Sequence, residues 1–119
     1  MKYLILALLA LGAAPLPAAR VFQIKMDTPT LVGVSGFLDF QFNPGGADAD
    51  PGSATISSYS GGTLGSATVT GDVSGSLPGP VVINNTTGFN DLFQALTFGS
   101  QIVFRVTIDG PVVGSFDPT

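Results

Sequence analysis

The amino-acid sequence predicts an all-β protein built as an antiparallel β-sandwich or jelly roll. Composition is the first reason: the 119 residues include 16 Gly and nine Phe, Ser, Thr and Val are abundant, and none of the eight acidic residues is Glu. Such a composition favours strands and turns over helices. Patterning is the second reason, because short runs of alternating apolar and polar residues are separated by Gly- and Pro-rich turns at close spacing.

The N-terminal residues have the three-part pattern of a secretory signal peptide. Lys2 supplies a positive start, an uncharged apolar run follows as far as Leu11, and Pro15 and Pro17 interrupt a small-residue exit. A membrane-spanning helix would need roughly 17–25 apolar residues, and the prolines break the run before that length is reached. We therefore expect a cleaved leader rather than a membrane anchor.

Cleavage after Ala18 fits the small-residue preference of signal peptidase, so we expect a leader of residues 1–18. The mature protein then begins at Ala19 or Arg20, and residues 19–119 form a single β-sandwich domain. Loss of the leader's one lysine changes the formal net charge from −4 to −5. No membrane-spanning segment is expected in the mature chain.

The absence of two residue types excludes several kinds of chemistry. The chain has no Cys, so neither a disulfide framework nor a thiol nucleophile is available, and it has no His, so Ser-His-Asp triads and ordinary zinc sites are excluded as well. After cleavage the basic residues are Arg20, Lys25 and Arg105. With so little positive charge, we expect neither nucleic acid nor an anionic membrane surface as a partner.

Residues 21–27 and 37–42 alternate most cleanly near the start of the domain, and both are predicted to be half-buried strands. The residues predicted to share one face are Phe22, Ile24 and Met26 in the first strand and Leu38, Phe40 and Phe42 in the second, with Asp39 and Gln41 pointing outward. The segment Asn43-Pro44-Gly45-Gly46 is predicted to be a turn, because Pro presets φ and Gly allows positive φ.

Three weaker strands are predicted in the middle of the chain, at residues 53–59, 67–70 and 81–84. Ala54 and Ile56 are the expected inward residues of the first, and Val69 is the centre of the second. The third is expected to run on into Thr86 and Thr87. Residues 71–80 are rich in Gly, Ser and Pro and are predicted to form a loop.

The last part of the chain combines an ambiguous segment with the best strand. Apolar residues at 89, 92, 93 and 96 follow helical spacing, so we expect a short helical turn near residues 90–93 and extended chain from Leu96. Residues 101–109 alternate throughout, with Ile102, Phe104, Val106 and Ile108 on one face. Six or seven strands are expected in total.

Three segments in this order resemble a group of bacterial PEP-CTERM sorting-domain proteins. They are Ser35-Gly-Phe-Leu-Asp-Phe-Gln-Phe-Asn-Pro-Gly45, Thr70-Gly-Asp-Val-Ser-Gly-Ser-Leu-Pro-Gly79, and Phe89-Asn-Asp followed by Phe98-Gly99. The resemblance covers about residues 20–112. It implies a protein of a Gram-negative-type bacterium that is secreted, extracellular or displayed on the cell surface and associated with exopolysaccharide and biofilm.

The chain departs from that family at its C-terminus. The family continues with further strands, a Pro-Glu-Pro motif, a hydrophobic helix and a basic tail, whereas this sequence ends at Thr119. We expect a fragment whose sandwich is incomplete at the C-terminus; the alternative is a protein that has lost its sorting signal. If strands are missing, the segment Gln101–Asp109 is expected to expose an unpaired edge through which the chain self-associates.

Asn43, Asp48 and Asp50 are the candidate metal ligands, because an oxygen-rich flexible loop suits calcium. Their spacing does not match an EF-hand, since no bidentate Glu follows. The alternative is that these residues only solubilise a turn. No other cofactor is expected.

Asp39 and Asp72 are the carboxylates considered for glycoside hydrolysis, which needs two carboxyl groups at a defined separation. Nothing in the sequence brings them together, so we expect no enzymatic activity. Sugar-binding proteins commonly stack rings on exposed Trp or Tyr, whereas this chain has no Trp, one Tyr after cleavage (Tyr59), and Phe residues expected mostly in the core.

Two functions remain from the sequence. The first is a non-enzymatic surface or extracellular-matrix protein, associated with biofilm exopolysaccharide, that acts by display, adhesion or self-association. The alternative is a carbohydrate-binding module, with calcium dependence if the loop binds the ion. Binding to polysaccharide that a chelator abolishes would favour the second function, whereas concentration-dependent self-association without such binding would favour the first.

Overall fold

The computed structural model describes residues 19–46 and 49–110, and it contains eight strands and one short 3-10 turn at Pro29–Leu31. The strands are β1 (Arg20–Asp27), β2 (Ser35–Gln41), β3 (Ser53–Ser60), β4 (Thr63–Thr70), β5 (Val73–Gly75), β6 (Val81–Asn84), β7 (Asp91–Thr97) and β8 (Gln101–Asp109). Within these ranges, no helix has the length and apolar character needed to cross a bilayer. The predicted leader, residues 1–18, lies outside the described residues.

The strands form two antiparallel sheets that pack face to face. The larger sheet has the order β1-β8-β3-β6-β5 and the smaller sheet the order β2-β7-β4. The pairings β1 with β8, β2 with β7 and β3 with β6 are nested, as in a two-stranded ribbon rolled up on itself. This is a jelly-roll arrangement in which β5 pairs with β6 at the edge of the larger sheet. The predicted fold class is confirmed.

The hydrophobic core lies between the sheets and comes mainly from the larger one. Its buried members are Ile56, Tyr59, Leu77, Val81, Ile83, Leu92, Leu96, Ile102 and Phe104. Across the interface, the ring of Phe40 meets the ring of Phe104 edge to face at a centroid distance of 5.3 Å. Each fully buried Ile or Leu contributes about 1.5–3 kcal/mol, so the inward alternation of the strands is what stabilises the sandwich.

A bulge in β3 explains why Tyr59 is in the core although it differs in parity from the inward residues Ala54 and Ile56. The register with β8 shifts between Ser57 and Ser60, and Ser58 has a positive φ of 54°. The Tyr59 hydroxyl donates a hydrogen bond to the carbonyl of Gly61 at 3.0 Å, and burial raises the pKa of this phenol. The one tyrosine of the expected mature chain is therefore a core residue.

The prediction of a helical turn near residues 90–93 is wrong. Asp91–Thr97 is β7, the central strand of the smaller sheet. Leu92 and Leu96 face the larger sheet together with the buried amide of Gln94, while Phe93 points outward. Because the inward position 94 is a polar Gln and the outward position 93 is an apolar Phe, apolar and polar residues do not alternate along the strand. Pairing of β7 with strands on both sides outweighs the local helical spacing.

The predicted loop at residues 71–80 contains strand β5, and β4 begins at Thr63 rather than at residue 67. Main-chain pairing with β6 recruits Val73–Gly75 into the larger sheet although its composition is typical of a loop. β6 ends at Asn84, before the predicted extension into Thr86 and Thr87. Strands β5 and β7, predicted to be a loop and a helical turn, account for the eight strands observed in place of six or seven.

The expectation that Gln101–Asp109 exposes an unpaired edge is wrong. This strand, β8, pairs with β1 on one side and with β3 on the other. The outermost strands of the two described sheets are β1 and β5 in the larger sheet and β2 and β4 in the smaller one. Among them, β4 combines a length of eight residues with a complete lack of charged side chains.

Candidate functional site

The structure places the candidate calcium ligands in the β2–β3 connection. Asp48 lies outside the described residues. The side-chain oxygen of Asn43 accepts a hydrogen bond from the backbone N–H of Asn90 at 2.7 Å, and the backbone carbonyl of Asp50 accepts one from the amide of Asn85 at 2.9 Å. Within the described ranges, no three His, Cys, Asp or Glu residues are grouped to hold a metal ion. The calcium site stays a prediction, and Asn43 already serves to join two loops.

Asp39 and Asp72 are not brought together as a pair. Asp39 lies on β2, in the smaller sheet, whereas Asp72 lies in the short connection between β4 and β5. There its carboxylate accepts a hydrogen bond from the hydroxyl of Thr86 at 2.7 Å. The carboxyl group that does contact Asp39 belongs to Asp91, at the start of β7.

The smaller sheet has one face toward the core and one toward solvent, and the outer face carries a distinct set of side chains. The register places Asp39 beside Phe93 and Gln41 beside Asp91. On the other side of β7, Thr68 lies beside Phe93 and Thr70 beside Asp91. We define the binding face as the outward side chains Phe37, Asp39, Gln41, Thr68, Thr70, Asp91 and Phe93.

Two phenylalanines on the binding face form an exposed stacked pair. The rings of Phe37 and Phe93 are 4.5 Å apart between centroids and inclined by only 16°. Phe37 is 59% exposed and Phe93 is 38% exposed. The two residues lie diagonally across β2 and β7, a separation that aromatic side chains can bridge. The exposed parts of the two stacked rings form an apolar patch in contact with water.

Next to the aromatic pair, Asp39 and Asp91 form a hydrogen-bonded carboxyl pair. Asp91 is only 6% exposed because its neighbours on the sheet cover it. Desolvation raises the pKa of Asp91, the hydrogen bond and negative charge of Asp39 raise it further, and a hydrogen bond with Thr70 acts in the opposite direction. The amide of Gln41 donates to the second carboxyl group, that of Asp39, at 2.7 Å.

The position of Asp91 is set by the residue before it. Asn90 is fully buried, and its amide donates to the carbonyls of Phe42 and Thr87 while its side-chain oxygen accepts from the Asp72 N–H and the Thr87 hydroxyl. The main chain of Asn90 also pairs with Phe42, because the Phe42 N–H donates to the Asn90 carbonyl at 3.1 Å. These bonds tie three loops together and hold the start of β7 firmly against β2.

Sequence reasoning found part of the binding face and missed the rest. Alternation in β2 correctly places Asp39 and Gln41 outward, and Phe37 shares their parity. The expectation that the Phe residues are mostly in the core is wrong, because four of the eight described ones (Phe22, Phe37, Phe89 and Phe93) are exposed. The helical spacing predicts a turn over this segment and so does not place Asp91 on the face, whereas strand alternation over residues 91–97 puts Asp91 outward with Phe93.

Comparison with known proteins identifies no relative: no family model, no curated protein and no solved structure matches the chain.

Proposed function

We propose that the protein is an exported, non-enzymatic component of a bacterial cell surface or extracellular matrix that contacts exopolysaccharide through its binding face. The observation that carries this proposal is the exposed stacked pair Phe37–Phe93 beside carboxyl, amide and hydroxyl groups. Sugar rings have apolar faces that pack on flat aromatic surfaces, and their hydroxyl groups need hydrogen-bonding partners at the rim. The binding face offers both within one sheet.

Binding rather than hydrolysis is supported by the separation of the carboxyl groups. Glycoside hydrolysis uses two carboxyls about 5–5.5 Å apart when a covalent intermediate forms, or about 6.5–9.5 Å apart when a water molecule must fit between them. Asp39 and Asp91 are in direct hydrogen-bond contact. Direct contact is closer than either separation, which supports binding rather than hydrolysis.

Export and surface location rest on the sequence, through the leader pattern of residues 1–18 and the resemblance to PEP-CTERM proteins. N-terminal sequencing of the protein after expression in a Gram-negative host tests the leader, with Ala19 or Arg20 expected as the first residue. Recovery of chains that still begin with Met1 outside the cytoplasm contradicts it.

Co-sedimentation with insoluble polysaccharides tests the binding function. The full chain is expressed with export, purified and mixed with cellulose, chitin, chitosan or uncoated beads, and the bound fraction and the release of reducing ends are measured. We expect sedimentation with at least one polysaccharide and no sustained release of reducing ends. If the protein sediments with none of the polysaccharides, the binding proposal is contradicted. Sustained release of reducing ends contradicts the non-enzymatic part.

Self-association is a second candidate function, and the edge strand β4 favours it. The strand is eight residues long, uncharged and free of Pro. Its Val69 lies beside Leu92, on the core-facing side of the smaller sheet, and is half exposed because β4 is an edge strand. Natural proteins protect such edges with charges, often an inward-pointing Lys. By contrast, β1 carries Lys25 and Asp27 along its edge.

A Val69→Lys variant tests this second function, because a lysine at that position introduces the charge that β4 lacks. Sedimentation velocity over a range of concentrations should give reversible dimers for the unchanged protein and monomers for the variant. Identical sedimentation of both proteins contradicts pairing through β4. A Phe22→Ala variant, altered in the other sheet, serves as the control and should still dimerise.

A further inference from the structure

We propose that the binding face recognises a cationic amino-sugar polymer, with the Phe37–Phe93 pair packing against a sugar ring and the Asp39–Asp91 pair receiving the ammonium group. This inference rests on the proposed function and names the polysaccharide class that the face selects. It is carried by three features: the exposed aromatic pair, the proximity of the two carboxyl groups, and the distribution of charge over the two sheets.

The aromatic pair supplies the surface on which a ring packs. An exposed Phe is unusual enough to need a reason when it is part of a contiguous apolar patch. Phe37 and Phe93 are stacked, so each ring covers part of one face of the other, and the parts that stay exposed form one continuous apolar patch rather than two separate ones. Phe also attracts cations through the negative face of its π-system, which favours a positively charged ligand here.

The carboxyl pair supplies a counter-charge. Two carboxyl groups in hydrogen-bond contact repel each other once both are ionised, and a cation placed between them removes that repulsion. Burial is the main cause of the raised pKa of Asp91, and the hydrogen bond and charge of Asp39 raise it further. No other charged residue faces the pair from the neighbouring strands: β2 contributes only Asp39, β4 contributes none, and β7 contributes only Asp91.

Charge is distributed unequally between the outer faces of the two sheets. The sequence contains no Lys or Arg between Lys25 and Arg105. Both of these residues belong to the larger sheet, where Lys25 pairs in register with Val103 and Gln23 pairs with Arg105. The outer face of the smaller sheet is therefore negative and free of competing cations, which raises the local concentration of a polycation.

The remaining side chains favour a sugar over a basic peptide. Gln41 and Thr70 lie beside Asp91, and Thr68 lies beside Phe93. The Gln41 amide already bonds to Asp39 and Asn43, so the two threonines are the main source of hydroxyl groups for a ligand. Extended peptides bind sheets chiefly by adding a strand at an edge, where main-chain groups are free. The binding face is instead the flat side of the sheet, whose main chain is already paired, so recognition depends on side chains.

Affinity measurements with soluble oligomers of chitosan and of chitin, matched in length, test the inference. At mildly acidic pH, where the chitosan amines are protonated, we expect about tenfold tighter binding of the deacetylated oligomer. Phe37→Ala and Asp39→Asn should each reduce chitosan binding by about tenfold or more. The matched controls are Phe22→Ala, which removes a ring that is 48% exposed on the other sheet, and Asp27→Asn; both should bind as the unchanged protein does.

The outcomes separate this inference from the proposed function. Equal affinity for the two oligomers, or binding that both face variants leave unchanged, overturns the inference while the broader polysaccharide function stands. Equal binding of polylysine and chitosan overturns the choice of a sugar and indicates recognition by charge alone. If the protein binds none of the polysaccharides, both proposals are overturned.

Discussion

Asn90 immediately precedes β7 and Asp91 is its first residue, yet the two side chains lie in different surroundings. Asn90 is fully buried beneath the loops, whereas Asp91 lies on the outer face beside Asp39. Both are polar and both are covered by neighbours, so burial alone does not distinguish them. The difference lies in how their hydrogen-bonding capacity is used.

The side chain of Asn90 has every donor and acceptor occupied by the protein itself. Its four hydrogen bonds, between 2.6 and 3.2 Å, leave nothing for a ligand. Asp91 instead shares its contact with a second carboxyl group, an arrangement that becomes unfavourable when both ionise. A buried polar group whose hydrogen bonds are all satisfied stabilises a fold, whereas the repulsion between two like charges falls when a cation binds to them. We therefore regard Asn90 and its hydrogen-bond partners, the Asn90 cluster, as structural, and Asp39 and Asp91 as candidates for binding.

The largest expected effect follows from removing the Asn90 side chain. Asn90→Ala deletes four hydrogen bonds and leaves buried backbone groups without partners, so we expect a loss of about 3–4 kcal/mol in the free energy of unfolding. Urea denaturation measures it. Asn85→Ala is the comparison, because it removes two hydrogen bonds to a single loop and should cost about 1–2 kcal/mol. Equal losses in the two variants would contradict the central role of Asn90.

A second substitution tests the same cluster through its backbone. Gly71 has a φ of +76°, and a Cβ built on it would collide with the Phe89 carbonyl and with side-chain oxygens of Asn90 and Thr87. Gly71→Ala should therefore destabilise the protein by about 2 kcal/mol. Gly88 has open space around its Cα, so Gly88→Ala should be neutral within about 0.5 kcal/mol in the same denaturation experiment. If Gly71→Ala left the free energy of unfolding unchanged, the residues around Asn90 would be able to rearrange to accommodate the added Cβ.

The Asn90 cluster and the binding face also differ in how much of each the sequence predicts. Alternation predicts β1, β2 and β8 well, and it places Asp39 outward, because the period of two is a local property. The stacking of Phe37 on Phe93 joins strands more than fifty positions apart and depends on their register, which local patterns do not contain. The same limit applies to Asn90, whose partners come from three separate loops.

Removing the like-charge contact should stabilise the protein. Asp91→Asn abolishes repulsion with Asp39, and we expect a gain of less than about 1 kcal/mol at neutral pH, because Asp39 is exposed and solvent screens its charge. Because the pKa of Asp91 is raised in the folded state, protonation of this carboxyl favours folding. This contribution to the free energy of unfolding is fully present below the ordinary carboxyl pKa and is lost as pH rises through the raised value. Melting curves should therefore differ at pH 7 and converge near pH 3.

A double-mutant cycle separates the pair interaction from other effects of the substitution. Asp39→Asn alone should also raise stability at pH 7, and the double variant should gain less than the two single gains combined, since either change removes the same repulsion. Additive gains would indicate that the two carboxyl groups act independently.

The smallest effect is expected at the exposed ion pair of β1. The Lys25 ammonium lies 3.9 Å from the Asp27 carboxylate, with side chains 60% and 73% exposed, so solvent and salt screen the attraction. Asp27→Asn should change the free energy of unfolding by less than about 0.5 kcal/mol, with a slight loss.

This variant alters the net charge of the protein by the same amount as Asp91→Asn, yet it removes an attraction instead of a repulsion. If both variants raised stability equally at pH 7, the gain would come from lower overall negative charge and not from the Asp39–Asp91 contact. A gain in Asp91→Asn alone ties the effect to the binding face.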